Sequence, residues 1–449
     1  DSRSVERIRF LQEASHEFSE DIEFLQEYQA LARQGKLAKM PKALIDLSDK
    51  ENSYYSSKMR VATRILIALW IIPLIILFVF SRAFVPAVLG MVIINLIASF
   101  IMSSRYSEIF KAVDGISRQC NAIYKLFTKL ESKGFKSSVT KQLVLGANSD
   151  VKISDEFKKL ADACFLCSFR SQPLLALVLN SLCLFDSICA DKFNSWIQKY
   201  GKNINENIKN LAQIESLMST SVVEIISDYS CRPVFVEAED DDDKNAYFKG
   251  VEILHPLLKR DVAVSNSIEI NSSIAIITGS NMSGKTTLIR TVGTMAILSY
   301  IGAYVPAKEV KLGRMRIVSS MRIVDSIKEE MSTFRAELVR ISRIVNAGRE
   351  NKPMLFLIDE IFRGTNSADR TSGAMEVLRI MSKPMIIGFM TTHDYALCDE
   401  AKEELNNICY YHFSEKYNDD SIIFDYKLKD GMTKISNAKQ LMKLVGIIL

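Results

Sequence analysis

The chain has 449 residues, enough for two to four domains, and 48% of them are hydrophobic, a high share for a soluble protein. The formal net charge of +4 rules out any argument for nucleic-acid binding from charge alone. Cys164 and Cys167 resemble half of a zinc or redox motif, but they stand in an apolar helical run. We interpret them as buried core thiols, which fits a reducing cytosol.

The N-terminal part changes composition abruptly after residue 58. Residues 1 to about 58 carry apolar side chains at near-helical spacing, which predicts a charged amphipathic helix. Two apolar runs of 20 residues follow, Val61–Phe80 and Ala83–Met102. Each would be about 30 Å long as a helix, the thickness of a hydrocarbon core. We therefore predict a two-helix transmembrane hairpin over residues 61–102, with a buried helical hairpin in a soluble core as the alternative.

The rest of the chain divides into a helical part and an α/β part. Residues 103–230 keep a helical period, and the apolar run Pro173–Phe185 is too short to span a membrane, so we expect it to be a core helix. After the acidic run at 237–243, apolar strand-like segments alternate with helical ones. The strand-like segments are SIAIIT at 273–278, MLFLI at 354–358 and MIIGFM at 385–390. This alternation predicts a mostly parallel α/β sheet.

A phosphate-binding loop follows the first of these strands. Residues 279–286 (GSNMSGKT) fit the P-loop pattern, and a helical run comes directly after them. Backbone amides of such a loop and the helix N-terminus attract phosphate oxygens. Lys285 is expected to reach the β- and γ-phosphates of ATP, and the Thr286 hydroxyl to bind Mg²⁺. The candidate nucleotide-binding residues are Gly279, Asn281, Met282, Ser283, Gly284, Lys285, Thr286 and Thr287.

Two carboxylates and a histidine complete the predicted chemistry. The second strand ends in Asp359 and Glu360. Asp359 is predicted to hold Mg²⁺ together with Thr286, and Glu360 to polarise the attacking water as general base. His393 follows the third strand, where it could sense the γ-phosphate. The order of P-loop, carboxylates and histidine indicates ATP hydrolysis.

These motifs resemble those of the MutS family, the mismatch-repair ATPases. TGSNMSGKTT at 278–287 contains the Asn-Met pair that is distinctive of the family's P-loop. MSTF at 331–334, followed by Glu337, resembles its signature loop, and IDEIFRGTNSADR at 358–370 its Walker B motif and D-loop. Further matches lie at either end of the predicted domain: His255-Pro256, Asn266, FDYKLKDG at 424–431 and Ser436-Asn437-Ala438.

The resemblance implies an ABC-type nucleotide fold and further roles. Ser332 would reach across a homodimer to the partner's γ-phosphate, and Tyr426 would lie near the adenine. Leu182–Trp196 and Glu215–Ser219 resemble remnants of the family's helical core and lever region.

The sequence also departs from the mismatch-repair members of the family. Phe18-Ser19-Glu20 has the spelling of their mismatch-reading motif, but it stands on a predicted amphipathic helix. Residues 1–60 are too few for the family's mismatch and connector domains, and we expect no helical dimerisation tail after the ATPase core. We therefore expect no mismatch reading, with the membrane hairpin in place of the long helices that grip DNA.

The leading interpretation is a membrane-anchored MutS-like ATPase with four segments. They are an N-terminal helical segment (1–60), the transmembrane hairpin (61–102), a helical core or lever-like region (103–230) and the ATPase domain (231–449). Membrane lipid would surround the two spans, and both termini and the ATPase domain would face the cytoplasm, where ATP is found. ATP-driven dimerisation would move the helical region.

Two other interpretations remain at this stage. A DNA-binding MutS-family protein, acting in repair or recombination, would grip duplex DNA through its helical region. A continuous basic face over 103–230 would favour it, although acidic residues interrupt the lysines there. A transport ATPase is the third; the small number of spans and the missing LSGGQ-like signature argue against it.

Overall fold

A computed structural model describes residues 4–35, 57–79, 84–113, 116–146, 151–236, 246–259, 261–321, 333–362, 366–418 and 421–432. The chain forms two compact units, one of Asp1–Ser19 with Ser219–Leu449 and one of Glu20–Met218. The first helix, α1 (Val5–Ser19), thus belongs to the same unit as the C-terminal half. The division into four segments by composition stays a proposal.

The unit of residues 20–218 is helical in its described parts, as expected. Its helices are α2 (Ile22–Gly35), α3 (Ser57–Ala68), α4 (Ile71–Val79), α5 (Phe84–Val113), α6 (Ser117–Ser132), α7 (Ser138–Leu145), α8 (Ile153–Ser168), α9 (Pro173–Cys183) and α10 (Phe185–Ile226), the last of which ends in the other unit.

The single amphipathic helix predicted over residues 1–58 is wrong in its described part, because α1 and α2 are separate helices. The Asp21 carboxylate accepts the backbone N–H of Phe24 at 2.9 Å, which satisfies a free donor in the first turn of α2 and begins a new helix there. Phe18 is fully buried near the end of α1. Phe18 of the Phe-Ser-Glu sequence is therefore a core side chain and is not exposed as a wedge would have to be.

The two apolar runs differ in structure. Pro73 has no N–H to donate to the Leu69 carbonyl, and that carbonyl instead accepts the N–H of Ile72 at 3.0 Å. The first run is therefore divided into α3 and α4, and the prediction of a continuous spanning helix there is wrong for the described residues. The second run lies within α5. Val85–Ser103 is long and apolar enough to cross a membrane, with a mean hydropathy of 2.3 and only 11% of the stretch buried.

The third apolar run is a helix, but it is not a core helix. α9 buries Asn180 and Ser181 and exposes Leu174 by 81%. The prediction from composition was wrong because it carried no information on which face of the helix packs.

The other unit contains the expected α/β sheet. Among the described residues the sheet has six strands in the order β10-β9-β4-β8-β7-β6, parallel except for the β9–β10 pair. The strands are β4 (Ile274–Thr278), β6 (Arg316–Ser320), β7 (Met354–Asp359), β8 (Ile386–Thr391), β9 (Ile408–Asn418) and β10 (Ser421–Asp430). A second sheet has the order β1-β5-β2-β3, formed by β1 (Val234–Phe235), β2 (Tyr247–Ile253), β3 (Asn266–Asn271) and β5 (Glu309–Leu312).

Helices cover both faces of the six-stranded sheet, as buried parallel strands require. They are α11 (Lys285–Tyr300), α12 (Thr333–Arg349), α13 (Ser367–Met381) and α14 (Tyr395–Glu404). Alternate residues of each strand point into two cores: Ala275 and Ile277 pack with α11, and Ile274 and Ile276 with the other helices. The central strands are fully buried, so the loops at their carboxyl ends are held on a rigid base.

Candidate active site

The loop between β4 and α11 has the backbone of a phosphate-binding loop. Gly279 has φ +139°, and an added Cβ would lie 2.8 Å from the backbone oxygen of Phe413. Gly284, at φ +114°, turns the chain into α11. Side chains at these two positions would strain the loop, so the glycines are structurally required. The strand-loop-helix context predicted for residues 273–298 is confirmed.

Lys285 is buried at the start of α11, with 4% exposure. Its ammonium Nζ donates to the carbonyl oxygens of Gly279 at 2.8 Å and Ser280 at 2.7 Å. A cation at a helix N-terminus adds to the positive potential already present there. A triphosphate is the anion that suits this place, because its oxygens can take over the bonds that the loop carbonyls now make.

Ser283 provides a test of whether a phosphate fits. Its side chain is 1% exposed, and its hydroxyl has no hydrogen-bond partner among the described residues. Buried hydroxyls are normally paired. A phosphate oxygen bound in the loop would supply the missing partner.

Thr286 and Asp359 meet at the carboxyl ends of β4 and β7. The Thr286 hydroxyl lies 2.9 Å and 3.0 Å from the two carboxylate oxygens of Asp359. A hydroxyl and a carboxylate are hard oxygen ligands, and Mg²⁺ is usually bound by one or two carboxylates together with substrate phosphates. The pair therefore fits the Mg²⁺ of a Mg–ATP complex.

Thr391, at the end of β8, connects the Asp359 carboxylate with the backbone of Glu360. It lies opposite Asp359 in the parallel register of β7 and β8, and its hydroxyl donates to Asp359 Oδ1 at 2.9 Å. The same hydroxyl accepts the backbone N–H of Glu360 at 2.9 Å. Glu360 has φ +56°, a conformation that L residues rarely adopt. Sequence reasoning gave Thr391 no role; its position at the end of a strand adjacent to the acidic one was the available signal.

His393 approaches the site from the loop after β8. Its Nε2 lies 2.9 Å from Asn281 Oδ1 and 3.0 Å from Glu360 Oε1. Both neighbours present an oxygen, which favours the tautomer with the proton on Nε2. The histidine thus links the P-loop to the second carboxylate.

A cavity of about 680 Å³ lies against the P-loop, Asp359 and Glu360. The P-loop and the two carboxylates form the polar part of its lining. The apolar part of the lining consists mainly of Ile253, Leu258, Val262, Val264 and the Tyr426 ring. The cavity can therefore hold a polar phosphate chain beside an apolar, flat group.

Asn266 holds the backbone around Tyr426, one of the residues that line the cavity. Its amide donates to the Tyr426 carbonyl at 3.0 Å, and its side-chain oxygen accepts the N–H of Leu428 at 2.8 Å. These bonds fix the irregular strand at Tyr426, which has φ +51°. Sequence reasoning gave Tyr426 a place near the adenine, and it is brought into the cavity with the P-loop.

Eight cavity residues were missing from the sequence-based set: Ile253, Leu258, Val262, Val264, Leu288, Arg290, Thr291 and Phe413. His255, which was noted only as a motif match, also lines the cavity. Burial and then the Arg290 guanidinium lower the pKa of His255 below its usual value, so the imidazole is neutral at pH 7. Several of the missing residues lie within regular elements, Arg290 on α11 and Phe413 on β9, where sequence periodicity does not show which side chains reach the cavity.

Ser332, with Gly364 and Thr365, lies outside the described residues. Glu337 is described, four positions into α12, and its carboxylate accepts the backbone N–H of Phe362, two residues after Glu360. α12 is therefore connected to the loop that follows the catalytic carboxylate candidate.

Metal ligation elsewhere has no support in the described ranges. No group of three or more His, Cys, Asp or Glu side chains there could hold a metal ion. Cys164 and Cys167 are both buried and free of disulfides, as the sequence predicted.

The comparisons with known proteins agree with this geometry. Residues 275–447 match the family model of MutS domain V. The DNA mismatch repair protein MutS of Prochlorococcus marinus (strain MIT 9301) is 30% identical over 254 residues, which cover 55% of this chain and 27% of that protein. MutS of Caldicellulosiruptor saccharolyticus is 28% identical over 312 residues, 67% of this chain and 34% of the relative.

A eukaryotic relative shows the same partial overlap. DNA mismatch repair protein MSH3 of Candida glabrata is 28% identical over 269 residues, 57% of this chain and 25% of the relative. The chain thus spans about a quarter to a third of the length of these relatives. C-terminal to its helical region, the chain carries a MutS domain V, the ATPase domain of that family, over residues 275–447.

Proposed function

We propose that the chain is a membrane-anchored MutS-like ATPase that binds and hydrolyses Mg–ATP at composite sites in a homodimer and moves its helical region with the nucleotide state. The observation that carries the proposal is the meeting of Thr286, Asp359 and Glu360 with the P-loop around one cavity, with His393 bonded to Glu360. Each has the chemistry that one step of phosphoryl transfer to water needs.

The roles follow from these contacts. Lys285 and the loop amides would neutralise the β- and γ-phosphates, and Thr286 with Asp359 would hold Mg²⁺. Glu360 takes the proton from the attacking water. His393 contacts Glu360 and Asn281, so it can respond to a γ-phosphate placed between the P-loop and the base.

The composite site rests on Ser332, which immediately precedes α12 in the sequence. Ser332 would bind the γ-phosphate of the partner chain, as the resemblance to the family's signature loop implies. The Glu337 contact with the loop after Glu360 supports a coupling between this segment and the hydrolytic site. ATP would then favour association of two chains.

The membrane anchor is supported by the surface of α5. Long apolar side chains of this helix are exposed: Val85, Leu89, Ile93, Ile94, Ile97, Phe100 and Ile101. A monomeric soluble protein rarely exposes a contiguous apolar surface of this kind. We propose that α5 crosses the membrane and that α3 and α4, formed by the run Val61–Phe80, are a broken second part of the anchor. The ATPase domain would then face the cytoplasm.

The names of the relatives favour a second candidate, a DNA-binding MutS-family protein. Two lysines of the helical region, Lys129 and Lys133, argue against it. Lys129 is paired with Glu27 and Lys133 with Asp21, both on or beside α2. Ion pairs neutralise these charges, whereas binding to a phosphate backbone requires cations that can contact it.

The deciding experiment measures ATP hydrolysis by the purified protein with and without duplex DNA, with Glu360→Gln as the control. We expect Mg²⁺-dependent hydrolysis that DNA does not stimulate, and Glu360→Gln should keep ATP binding while turnover falls by about 10²–10⁴-fold. Unchanged turnover in Glu360→Gln would remove Glu360 from the mechanism, and strong stimulation by DNA would favour the second candidate.

Extraction of membranes with alkaline carbonate tests the anchor separately. An integral anchor keeps the protein in the membrane fraction. Release into the soluble fraction would refute the anchor and leave the ATPase proposal unaffected.

A further inference from the structure

α9 is built with its polar residues inside and its apolar residues outside. Asn180 and Ser181 are buried, at 7% and 9% exposure. Four aliphatic side chains at helical spacing are exposed: Leu174, Leu177, Val178 and Leu182. In water this arrangement is unfavourable, and in a hydrocarbon solvent it is the favourable one.

The helix stands at the tip of an antiparallel pair, α8 and α10. Near the start of α8 the Glu156 carbonyl accepts the indole N–H of Trp196, and beyond its end Arg170 is paired with Asp186 at 2.8 Å. α9 lies between these last two residues in the chain. The helical segments Ile153–Ser171 and Pro173–Cys183 are together apolar enough for a span but are bent by 111°. The bend makes α9 a separate segment at the tip.

α9 packs along α5 and ends beside the middle of its apolar stretch. Asn95, fully buried near the centre of Val85–Ser103, donates to the carbonyl oxygens of Ser181 at 2.9 Å and Leu182 at 3.4 Å. Tyr106, beyond the C-terminal end of that stretch, shares a hydrogen bond with Ser187 on α10. The end of α9 therefore lies beside the middle of the apolar stretch of α5, whereas the start of α10 lies beyond the C-terminal end of that stretch.

The backbone groups at the end of α9 are satisfied within the protein. Leu184, at φ +53°, donates its N–H to the Asn180 carbonyl at 3.2 Å. The Asn180 side chain accepts the N–H of Asp186 at 2.9 Å, and Asn95 pairs with the next two carbonyls. Non-helical backbone is tolerated at membrane depth only when it is covered in this way.

We infer that α9 is a re-entrant helix: it enters the lipid hydrocarbon beside α5 and turns back at about the depth of Asn95. This inference rests on the membrane anchor proposed above. The chain would then contact lipid at a second segment, α9, which connects α8 and α10 and is separate from the apolar hairpin. The occupant of the exposed aliphatic side chains is acyl chain, because α9 packs along α5, whose exposed side chains are also apolar.

Quenching of tryptophan emission by brominated lipid tests this directly. The full chain with Trp70→Phe, which keeps the buried Trp196, is reconstituted in phosphatidylcholine vesicles with bromine at mid-acyl chain. Three reporters replace side chains of nearly equal exposure: Leu177→Trp on α9 (55%), Ile97→Trp on α5 (56%) and Leu145→Trp on α7 (59%). We expect Leu177→Trp and Ile97→Trp to lose most of the added emission, and Leu145→Trp to keep it.

The reporters separate the two proposals. Quenching at Ile97→Trp without quenching at Leu177→Trp overturns the re-entrant helix and leaves the anchor in place. An unquenched Ile97→Trp overturns the anchor itself. If Leu177→Trp is shielded from both brominated lipid and aqueous acrylamide, a protein surface covers α9, which also overturns the inference.

A variant of Asn95 tests the contact that holds the turn. Asn95→Leu keeps the branched shape of the side chain and removes the amide that donates to α9. Added to Leu177→Trp, it should reduce the quenching at that reporter while Ile97→Trp stays quenched. Unchanged quenching of Leu177→Trp would show that α9 is not held in lipid by Asn95.

Discussion

The Thr286 hydroxyl lies within 3.0 Å of both carboxylate oxygens of Asp359, although 73 residues separate the two positions. The parallel sheet produces this contact, because β4 and β7 both end at the same edge, on either side of β8. Two oxygen ligands are thereby held together before any nucleotide arrives.

The first prediction concerns Mg²⁺. Thr286→Val removes the hydroxyl while keeping the side-chain shape, and Thr286→Ser keeps the hydroxyl. We expect the Mg²⁺ concentration for half-maximal ATP turnover to rise in Thr286→Val by roughly the 10–100-fold that loss of a supporting ligand contact costs. A Mg²⁺ titration of ATP hydrolysis measures it, and an equal requirement in both variants would contradict the Mg²⁺ role.

The second prediction concerns Thr391, whose hydroxyl bonds the Asp359 carboxylate and the backbone N–H of Glu360 but does not line the cavity. Thr391→Val leaves the buried N–H of Glu360 unpaired, at a cost of about 1–3 kcal/mol. We therefore expect kcat to fall by roughly tenfold or more, with little change in KM for ATP.

Thr391→Ser is the control for that experiment, because its hydroxyl can make both bonds, and it should restore most of kcat. A loss of KM and kcat together in Thr391→Val, with no recovery in Thr391→Ser, would point to general damage to the sheet and not to positioning.

The third prediction concerns Tyr426, which belongs to the apolar part of the cavity lining. An aromatic ring stacked on a base contributes about 1–3 kcal/mol to binding in nucleic-acid complexes. Tyr426→Ala should therefore raise the Kd for ATP, and Tyr426→Phe should leave it close to that of the unmodified chain. Equal binding by all three chains, measured with a fluorescent ATP analogue, would place the adenine elsewhere.

The fourth prediction is complementation between two inactive chains. Lys285→Ala and Ser332→Ala should each abolish ATP hydrolysis. In a mixed dimer one site combines both lesions, and the other has an intact P-loop facing an intact Ser332. Activity should reappear in the mixture. If subunit exchange is demonstrated and activity stays absent, the proposed contribution of Ser332 in trans is wrong.

The fifth prediction concerns DNA. Because Phe18 is buried in α1, the Phe-Ser-Glu spelling offers no wedge for a duplex. Binding should not distinguish mismatched from matched DNA, and any binding should weaken steeply with salt. A mismatch preference of about tenfold or more, equivalent to about 1.4 kcal/mol, would revive the repair interpretation.

The site was largely predictable because its chemistry is local in sequence. The P-loop and the pair Asp359–Glu360 are contiguous motifs at strand ends, and the apolar strands before them are confirmed as β4 and β7. Thr391 was missed because its role depends on register: only the pairing of β7 with β8 places it opposite Asp359.

The helical half was less predictable, because composition does not tell which face of a helix packs. Pro173–Phe185 had the composition of a core helix, and only its neighbours decide that Asn180 is inside and Leu174 outside. Similarly, a 20-residue apolar run predicted one helix, whereas a single proline, Pro73, is enough to divide it.

The bonds from Asn95 have a consequence for the order of assembly if α9 enters lipid as proposed. Asn95 precedes Ser181 by 86 residues, so during synthesis α5 is made before α9. With α5 already in the bilayer, the Ser181 and Leu182 carbonyls would leave water at a lower cost, because Asn95 supplies the donor for both. We therefore expect insertion of α9 to follow insertion of α5.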